Sequence, residues 1–142
     1  MSSYNGRLCE RHEYSVNRQR FLAVPAMSRQ IDLGKFHERS GGLDLLPVVG
    51  AAFLRQLPPW QAAFFAATES HDAPALVELL HQMRGSCHAI SAHDVAHEFE
   101  LAEQSVRQIA STAWQRQSCI LLEQIQQIEN ELQSIIAVQK AK

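Results

Sequence analysis

One of the seven histidines in this sequence stands where a side chain could do chemistry. His81 lies in the stretch 75–90, where apolar residues recur at steps of four, three, four and three and mark one face of an amphipathic helix: Leu76, Leu80, Met83, Cys87 and Ile90. At about 100° per residue, His81 lies about 140° from that face, so we expect it to point away from the core. A neutral imidazole is a nucleophile near neutral pH, because histidine titrates at about pH 6.5. His81 is therefore a candidate nucleophile.

The residues one turn after His81 suit an anionic substrate. Arg84, at about 80° on the same scale, offers a fork of N–H donors that fits phosphate oxygens. Gly85 lies at about 180°. A glycine inside a helix costs about 1 kcal/mol relative to alanine, and the simplest reason to tolerate it is a gap beside His81. Attack on a phosphoryl group needs an exposed nucleophile, an approach path and a cation, and these three residues supply them.

The segment HQMRGS at positions 81–86 resembles a known signature. In histidine-containing phosphotransfer (HPt) domains, a histidine is followed by any residue, an aliphatic residue, a lysine or arginine, a glycine and a small residue. The resemblance covers about residues 29 to 138 and is strongest from 43 to 107. It implies that His81 is the phosphoacceptor. Flanking residues also agree with the family pattern: Phe53, Leu54, Asp72, Ala92 and Glu103.

The sequence departs from the family pattern in three respects. Arg84 stands where lysine is commoner, which keeps the charge. Ser91 stands where the family often has glycine, and Phe99 with Ala102 reverses the usual small-then-large order on the next helix. These last two departures bear on a turn and on packing more than on the chemistry of His81.

The resemblance also implies roles for residues beyond the motif. In HPt domains an acidic or amide residue 22 positions after the histidine often lies near the imidazole, and a basic residue at 26 can flank the site. Glu103 and Arg107 stand at those offsets, and Glu103 could orient the ring by accepting a hydrogen bond from it. Without the family, a solvated i,i+4 pair is the favoured interpretation of these two residues. The expected partner-binding residues are Val77, Glu78, His88 and Arg107.

The apolar pattern predicts an all-α fold, namely an antiparallel up-and-down four-helix bundle with a short additional N-terminal helix. Residues 1–28 have no sustained period and are interpreted as a flexible N-terminal arm, whereas residues 29–142 form the HPt-like helical bundle. A short helix within 29–39 is stopped by the glycines at 41 and 42. Asp44 is expected to cap a helix over 45–57, which Pro58 and Pro59 must break or bend. The predicted seam of that helix comprises Val48, Val49, Ala52, Phe53 and Leu57.

Three further helices complete the predicted bundle. The helix that carries His81 should begin at Asp72 and end near Ala89. Residues 91–94 resemble the cap and first turn of the next helix, and residues 111–112 cap the last one. A coiled-coil dimer through the last helix is an alternative, but a bundle also covers the seams of the other helices. The two predicted seams are Val95, Phe99, Ala102, Val106 and Ile109, and then Trp114, Leu121, Ile125, Ile128, Leu132 and Ile135.

Composition limits the other classes of function. A chain of 142 residues with 46% hydrophobic and 20% charged residues fits one soluble domain, and a net charge of -2 gives little support for nucleic-acid binding. No apolar run approaches the roughly 20 residues that span a bilayer, so no membrane association is expected. Three cysteines without a CxxC pair argue against a disulfide framework and a structural zinc site and favour a cytoplasmic protein. We expect a monomer.

Two other histidines have a spacing that occurs in metal sites. His93 and His97 are four residues apart and could hold a metal from one face of a helix. The sequence has no HExxH motif and offers no evident third ligand, so solvated surface residues are the favoured interpretation. Neither a metal nor a cofactor is expected.

The resemblance implies a histidine phosphotransfer protein of a two-component phosphorelay, which shuttles a phosphoryl group between receiver-domain aspartates through His81. Its expected partners are response-regulator receiver domains and a hybrid sensor kinase. The sequence has no glycine-rich phosphate loop, so we expect a phosphohistidine carrier without kinase activity of its own, not an enzyme. The alternative is a non-transferring helical interaction module that docks response regulators or other partners. A metal-binding bundle that uses His93 and His97 is a third possibility.

Overall fold

The structure is a computed structural model that describes residues 30–108 and 112–141, and in these two segments every regular element is helical. The all-α prediction is therefore confirmed for the described residues. The predicted arm over residues 1–28 lies outside them.

The first helix, α1, spans Leu33–Ser40 and has defined signals at both ends. The carboxylate of Asp32 accepts a hydrogen bond from the amide of Lys35 at 3.0 Å, which satisfies one of the free donors of the first turn. Gly41 ends the helix in the left-handed region, with φ of 82°, as the predicted stop requires. Phe36 is the residue of α1 that is buried.

The second helix, α2, spans Leu46–Glu69 without interruption, so of the predicted break or bend at Pro58 and Pro59 the break is wrong. The two prolines remove the donors that would bond the carbonyls of residues 54 and 55. Both prolines are exposed, whereas Leu57 and Trp60 on either side are buried. Water can therefore replace the lost hydrogen bonds on the outer face, while burial of the inner face holds the helix together.

The start and the buried face of α2 also differ from the prediction. A 3-10 turn at Leu43–Leu45 precedes the helix, and its N-cap residue is Leu45, without a side-chain hydrogen bond, instead of Asp44. Val48 is 68% exposed and Ala52 is exposed. Val48 lies about 200° around the helix from Leu46, so it faces outward once Leu46 is buried. The buried face comprises Leu46, Gly50, Phe53, Leu57, Trp60, Phe64 and Ala67.

The remaining helices are α3 at Ala73–Ala89, α4 at His93–Ser105 and α5 at Thr112–Ala141, with a 3-10 turn at Val106–Gln108 after α4. Asp72 caps α3 by accepting from the amide of Ala75, as predicted. The predicted seam of α3 is fully buried, and so are the described parts of the other two seams except Ile135, which is partly buried. Ile109 lies outside the described residues.

The four longer helices enclose a shared core. Helix α2 packs on α3 and α5, and α4 also packs on α3 and α5, with α3 and α4 in the most extensive contact. Trp60 belongs to an aromatic cluster: its ring is 5.1 Å from that of Phe64 and 5.9 Å from that of Phe99. Its indole N–H donates to the carbonyl of Leu79 at 2.9 Å, so the buried polar atom is satisfied.

The two described cysteines differ in chemical state: one is a free thiol and the other is disulfide-bonded. Burial raises the pKa of the Cys87 thiol to about 12, so it is a neutral core residue. Cys119 on α5 is disulfide-bonded, a state that the cysteine spacing did not predict. None of the described helices is long and apolar enough to cross a bilayer.

Candidate functional site

His81 lies on the outer face of α3, one residue after the buried Leu80. Its side chain is 65% exposed. The apolar seam of α3 is buried completely, which fixes the rotation of the helix and turns His81 outward. The predicted exposure of His81 is therefore confirmed.

Two charged side chains converge on one nitrogen of this ring. Arg84 Nη2 lies 2.9 Å from His81 Nδ1, and Glu103 Oε1 lies 3.4 Å from the same atom. Arg84 Nη1 and Glu103 Oε2 form an ion pair at 3.1 Å. Arg84 reaches the ring because it is one turn away on α3, whereas Glu103 reaches it because α4 packs on α3. The side chains of Arg84 and Glu103 are 28% and 15% exposed, so both are less accessible to solvent than the imidazole of His81.

The two contacts require different tautomers of His81. Arginine only donates, so its hydrogen bond to Nδ1 needs a lone pair there and places the proton on Nε2. Glu103 is an acceptor, so its hydrogen bond needs the proton on Nδ1 and leaves a lone pair on Nε2. Only the second tautomer makes Nε2 a nucleophile. Arg84 and Glu103 therefore compete for the atom that sets the reactivity of the ring.

The surface beside His81 is open. A Cβ atom at Gly85 would meet no atom within 4 Å among the described residues, so packing against a neighbouring helix does not explain this glycine. Val77 is 41% exposed one turn before His81, and Glu78 is exposed as well. These residues form a flat, accessible face that combines an apolar side chain with charges.

The other predicted partner-binding residues lie further from the imidazole. Arg107 is exposed on the 3-10 turn after α4, and none of the ion pairs within the described segments includes it. His88 is exposed, and its Nδ1 lies 2.8 Å from Nδ1 of His93. The structure thus joins His81, Arg84 and Glu103 at one point, while His88 belongs to a separate cluster near the end of α3.

That second cluster was not predicted from the sequence. Arg39 Nη1, from α1, donates to the carbonyl of His88 at 2.7 Å and to Ser91 Oγ at 3.2 Å, and it lies 3.4 Å from His93 Nε2. Ser91 is buried and has φ of 60°, a left-handed conformation that explains why a glycine would be easier at this position. The departure at Ser91 was the sequence signal for a tight turn. Nothing in the local pattern indicated that Arg39 would reach it.

The proposed pairing of His93 with His97 around a metal has no supporting geometry. His93 contacts His88, whereas His97 lies 3.7 Å from the carboxylate of Glu100. Across residues 30–108 and 112–141, no group of three or more histidine, cysteine or acidic side chains converges as metal ligands would.

Comparison with known proteins adds no relative: no family model, no curated protein and no solved structure matches this chain.

Proposed function

We propose that this chain is a histidine phosphotransfer protein that accepts a phosphoryl group on His81 and passes it on. One observation carries the proposal, namely an exposed imidazole whose two polar contacts both use Nδ1. Nε2 is the nitrogen left to attack, on a face where Gly85 leaves open space. Arg84 supplies a cation for phosphoryl oxygens, and Glu103 supplies an acceptor that orients the ring.

The transfer step follows from these roles. A phosphoryl group enters as the mixed anhydride of a receiver aspartate. Its oxygens draw Arg84 away from Nδ1, the ring then loses its Nε2 proton to water and gains a proton from water at Nδ1, and Glu103 accepts a hydrogen bond from the new Nδ1–H. Nε2 attacks phosphorus, the N–P bond forms, the P–O bond to the aspartate breaks, and the aspartate leaves as a carboxylate. The positive charge that develops on the ring is balanced by Glu103, and the reverse step delivers the group to another receiver.

The proposal includes the finer fold, an antiparallel up-and-down four-helix bundle of α2 to α5 with α1 as an additional N-terminal helix. Three residues join α2 to α3 and α3 to α4. Three residues span at most about 10 Å, whereas α3, with 17 residues, is about 25 Å long. The chain cannot return to the other end of a helix through such turns, which supports alternating directions for α2, α3 and α4.

The proposed partners are response-regulator receiver domains and a hybrid sensor kinase, which the chain would meet as a cytoplasmic monomer. A donor and an acceptor must use the same face in turn, because both have to reach Nε2 of His81. The chain itself would carry the phosphoryl group without kinase activity, since the sequence has no glycine-rich phosphate loop.

The test is incubation of the full chain with a phosphorylated receiver, followed by detection of acid-labile phosphate on the chain. We expect labelling of the wild type and of His88→Gln, and no labelling of His81→Gln with an unchanged circular dichroism spectrum. Labelling of His81→Gln at wild-type level would place the phosphoacceptor elsewhere.

A non-transferring interaction module is the second candidate, and one contact favours it. The Arg84 hydrogen bond to Nδ1 keeps the proton on Nε2, which makes the ring unreactive until Arg84 moves. If this candidate is correct, receivers bind both the wild type and His81→Gln with similar affinity, and no phosphate appears on the wild type.

A further inference from the structure

Three side chains at the α3–α4 turn form a continuous polar chain that ties α1 to the bundle; we call them the Arg39–His88–His93 cluster. Arg39 comes from α1, His88 from the last turn of α3 and His93 from the first residue of α4. Arg39 Nη1 lies 3.4 Å from His93 Nε2, and His93 Nδ1 lies 2.8 Å from His88 Nδ1. The two imidazole rings are 5.0 Å apart between centroids.

The donors and acceptors of the Arg39–His88–His93 cluster fit one protonation state. Arg39 can only donate, so His93 Nε2 must carry a lone pair and His93 Nδ1 must carry the proton. His93 then donates to His88 Nδ1, which must be unprotonated. A proton added to His93 would go to Nε2 and face the Arg39 guanidinium. A proton added to His88 would go to Nδ1 and face the N–H of His93. Either protonation breaks the chain of hydrogen bonds.

The charges around the cluster are mostly positive. Burial and then the neighbouring His88, Arg39 and Lys35 lower the pKa of His93 below 6.5, while Asp32 opposes them. Asp94, the second residue of α4, lines the same small cleft as Asp32, Lys35 and His93. The carboxylates of Asp32 and Asp94 reduce the electrostatic repulsion that a protonated His93 would meet, but they do not cancel it.

We propose that the Arg39–His88–His93 cluster is a pH-sensitive latch that holds α1 on the α3–α4 turn at neutral pH and loosens it on acidification. This role is independent of phosphotransfer through His81. Further hydrogen bonds hold residues 30–32, directly before α1, and contain no histidine. Asp32 N donates to the carbonyl of Ser91 at 2.9 Å, and the amides of Gln30 and Ile31 donate to the carboxylate of Glu131. Loosening is therefore confined to α1, and the four longer helices stay assembled.

The sign of the pH effect follows from the lowered pKa of His93. Because the docked state resists protonation more than the free state does, docking is fully favourable above the ordinary pKa of 6.5. It weakens as the pH falls below that value, since the undocked state then binds more protons. Acidification, and not alkalinisation, should release α1.

The test is hydrogen exchange of the α1 amides, expressed as protection factors so that the intrinsic pH dependence of exchange is removed. In the wild type, protection of α1 should fall severalfold from about pH 8 to about pH 5, across the range in which histidine titrates. Protection of α3 should stay constant. The double variant His88→Gln/His93→Gln should lose this pH dependence, whereas His97→Gln, on α4 beside Glu100, should keep it.

A second variant tests the cation directly. Arg39→Gln keeps an N–H donor for the His88 carbonyl and replaces the cation with an amide, whose oxygen can accept from a protonated His93. Its α1 should stay protected to a lower pH than in the wild type. Unchanged α1 protection across the pH range in the wild type would overturn the latch. The latch would also be overturned if the double variant and Arg39→Gln lost α1 protection on acidification to the same extent as the wild type.

Discussion

At the scale of single residues, the reactivity of His81 depends on which neighbour holds Nδ1. Arg84 is the closer neighbour, at 2.9 Å against 3.4 Å for Glu103, so the free chain favours the tautomer with the proton on Nε2. An incoming phosphoryl group offers Arg84 stronger, charge-assisted hydrogen bonds. Under the proposed function, the same arginine would hold the ring inactive in the free chain and bind the phosphoryl group during transfer.

Arg84→Ala removes the cation that meets the phosphoryl oxygens in the proposed transfer. We expect the rate of transfer from a phosphorylated receiver to fall by on the order of 10² to 10³, as when one oxyanion donor is lost. The melting temperature should change little, because the Arg84–Glu103 ion pair lies near the surface. Rapid-quench measurements of acid-labile phosphate give the rate. Arg84→Lys should retain more activity, and equal rates for Arg84→Ala and the wild type would exclude this role.

Gly85 allows stability and transfer to be separated. Nothing lies within 4 Å of a Cβ atom at this position, so Gly85→Ala should raise the free energy of unfolding by up to about 1 kcal/mol through helix propensity. Gly85→Gln should also fold, but its longer side chain should crowd the approach to His81 and slow transfer. Urea denaturation and the labelling assay measure the two effects. Normal transfer by Gly85→Gln would show that access is not the reason for the glycine.

At the scale of elements, α2 shows how packing overrides local preference. Two prolines inside a helix cost about 3 kcal/mol each relative to alanine, yet the helix runs through Pro58 and Pro59. Its buried face contains Phe53, Leu57 and Trp60, each at most 4% exposed. Burial of a large apolar side chain contributes roughly 1.5 to 3 kcal/mol, so these contacts offset the cost of the prolines.

Gly50 on α2 provides a contrast with Gly85. A Cβ atom there would lie 2.8 Å from Cδ2 of Leu132, a fully buried residue of α5. Gly50→Ala should therefore lower the free energy of unfolding by roughly 1 kcal/mol, because overpacking exceeds the gain in helix propensity. Thermal denaturation of the two alanine variants side by side gives opposite shifts. A melting temperature for Gly50→Ala above that of the wild type would show that the Leu132 side chain moves aside without cost.

Ser91 in the α3–α4 turn combines strain with a useful hydroxyl. Its left-handed backbone costs about 1 kcal/mol or more for a residue with a Cβ atom, while its Oγ accepts from Arg39. Ser91→Gly relieves the strain and loses the hydroxyl, whereas Ser91→Ala loses the hydroxyl and keeps the strain. We expect Ser91→Gly to be more stable than Ser91→Ala by roughly 1 kcal/mol in urea denaturation. The reverse order would mean that the turn relaxes once the hydroxyl is gone.

At the scale of the whole molecule, the candidate docking face is assembled from two helices. Helix α3 contributes Val77, His81 and Arg84, and α4 contributes Glu103. In the proposed function a partner must be released after each transfer. Such a partner needs only a modest interface, with a buried area of roughly 1,200 Å², at the low end for specific complexes. An exposed apolar residue beside the reactive histidine suits the centre of such an interface, and the flanking charges suit its rim.

Val77→Glu places a charge at the proposed centre of that face. We expect weaker receiver binding with an unchanged melting temperature, since Val77 is already 41% exposed. Val138→Glu is the matched control, because Val138 is 57% exposed on α5, outside the face. Isothermal titration with a receiver measures both affinities. Equal weakening by the two variants, or chemical-shift changes centred on α5, would show that partners bind another surface.

The sequence by itself determined which face of α3, α4 and α5 is buried, because a 3.6-residue apolar period can be recognised without knowing the packing partner. It placed the caps at Asp72 and Gly41 and turned His81 outward for the same reason. Only the tertiary structure decided that Glu103 shares Nδ1 of His81 with Arg84, since that contact depends on how α3 and α4 pack. Packing also decided that α2 continues through its prolines and that Val48 faces outward.

The position of α1 shows most clearly what could not be predicted from the sequence. Its eight residues predict a helix but not where that helix docks, and the segment before it is held by Glu131, which lies 101 positions from Gln30. Arg39 reaches His88 and His93 because of that distant anchor and because Ser91 accepts a left-handed turn. Local periodicity contains no information about contacts between residues so far apart. The Arg39–His88–His93 cluster could therefore be found only once the chain was folded.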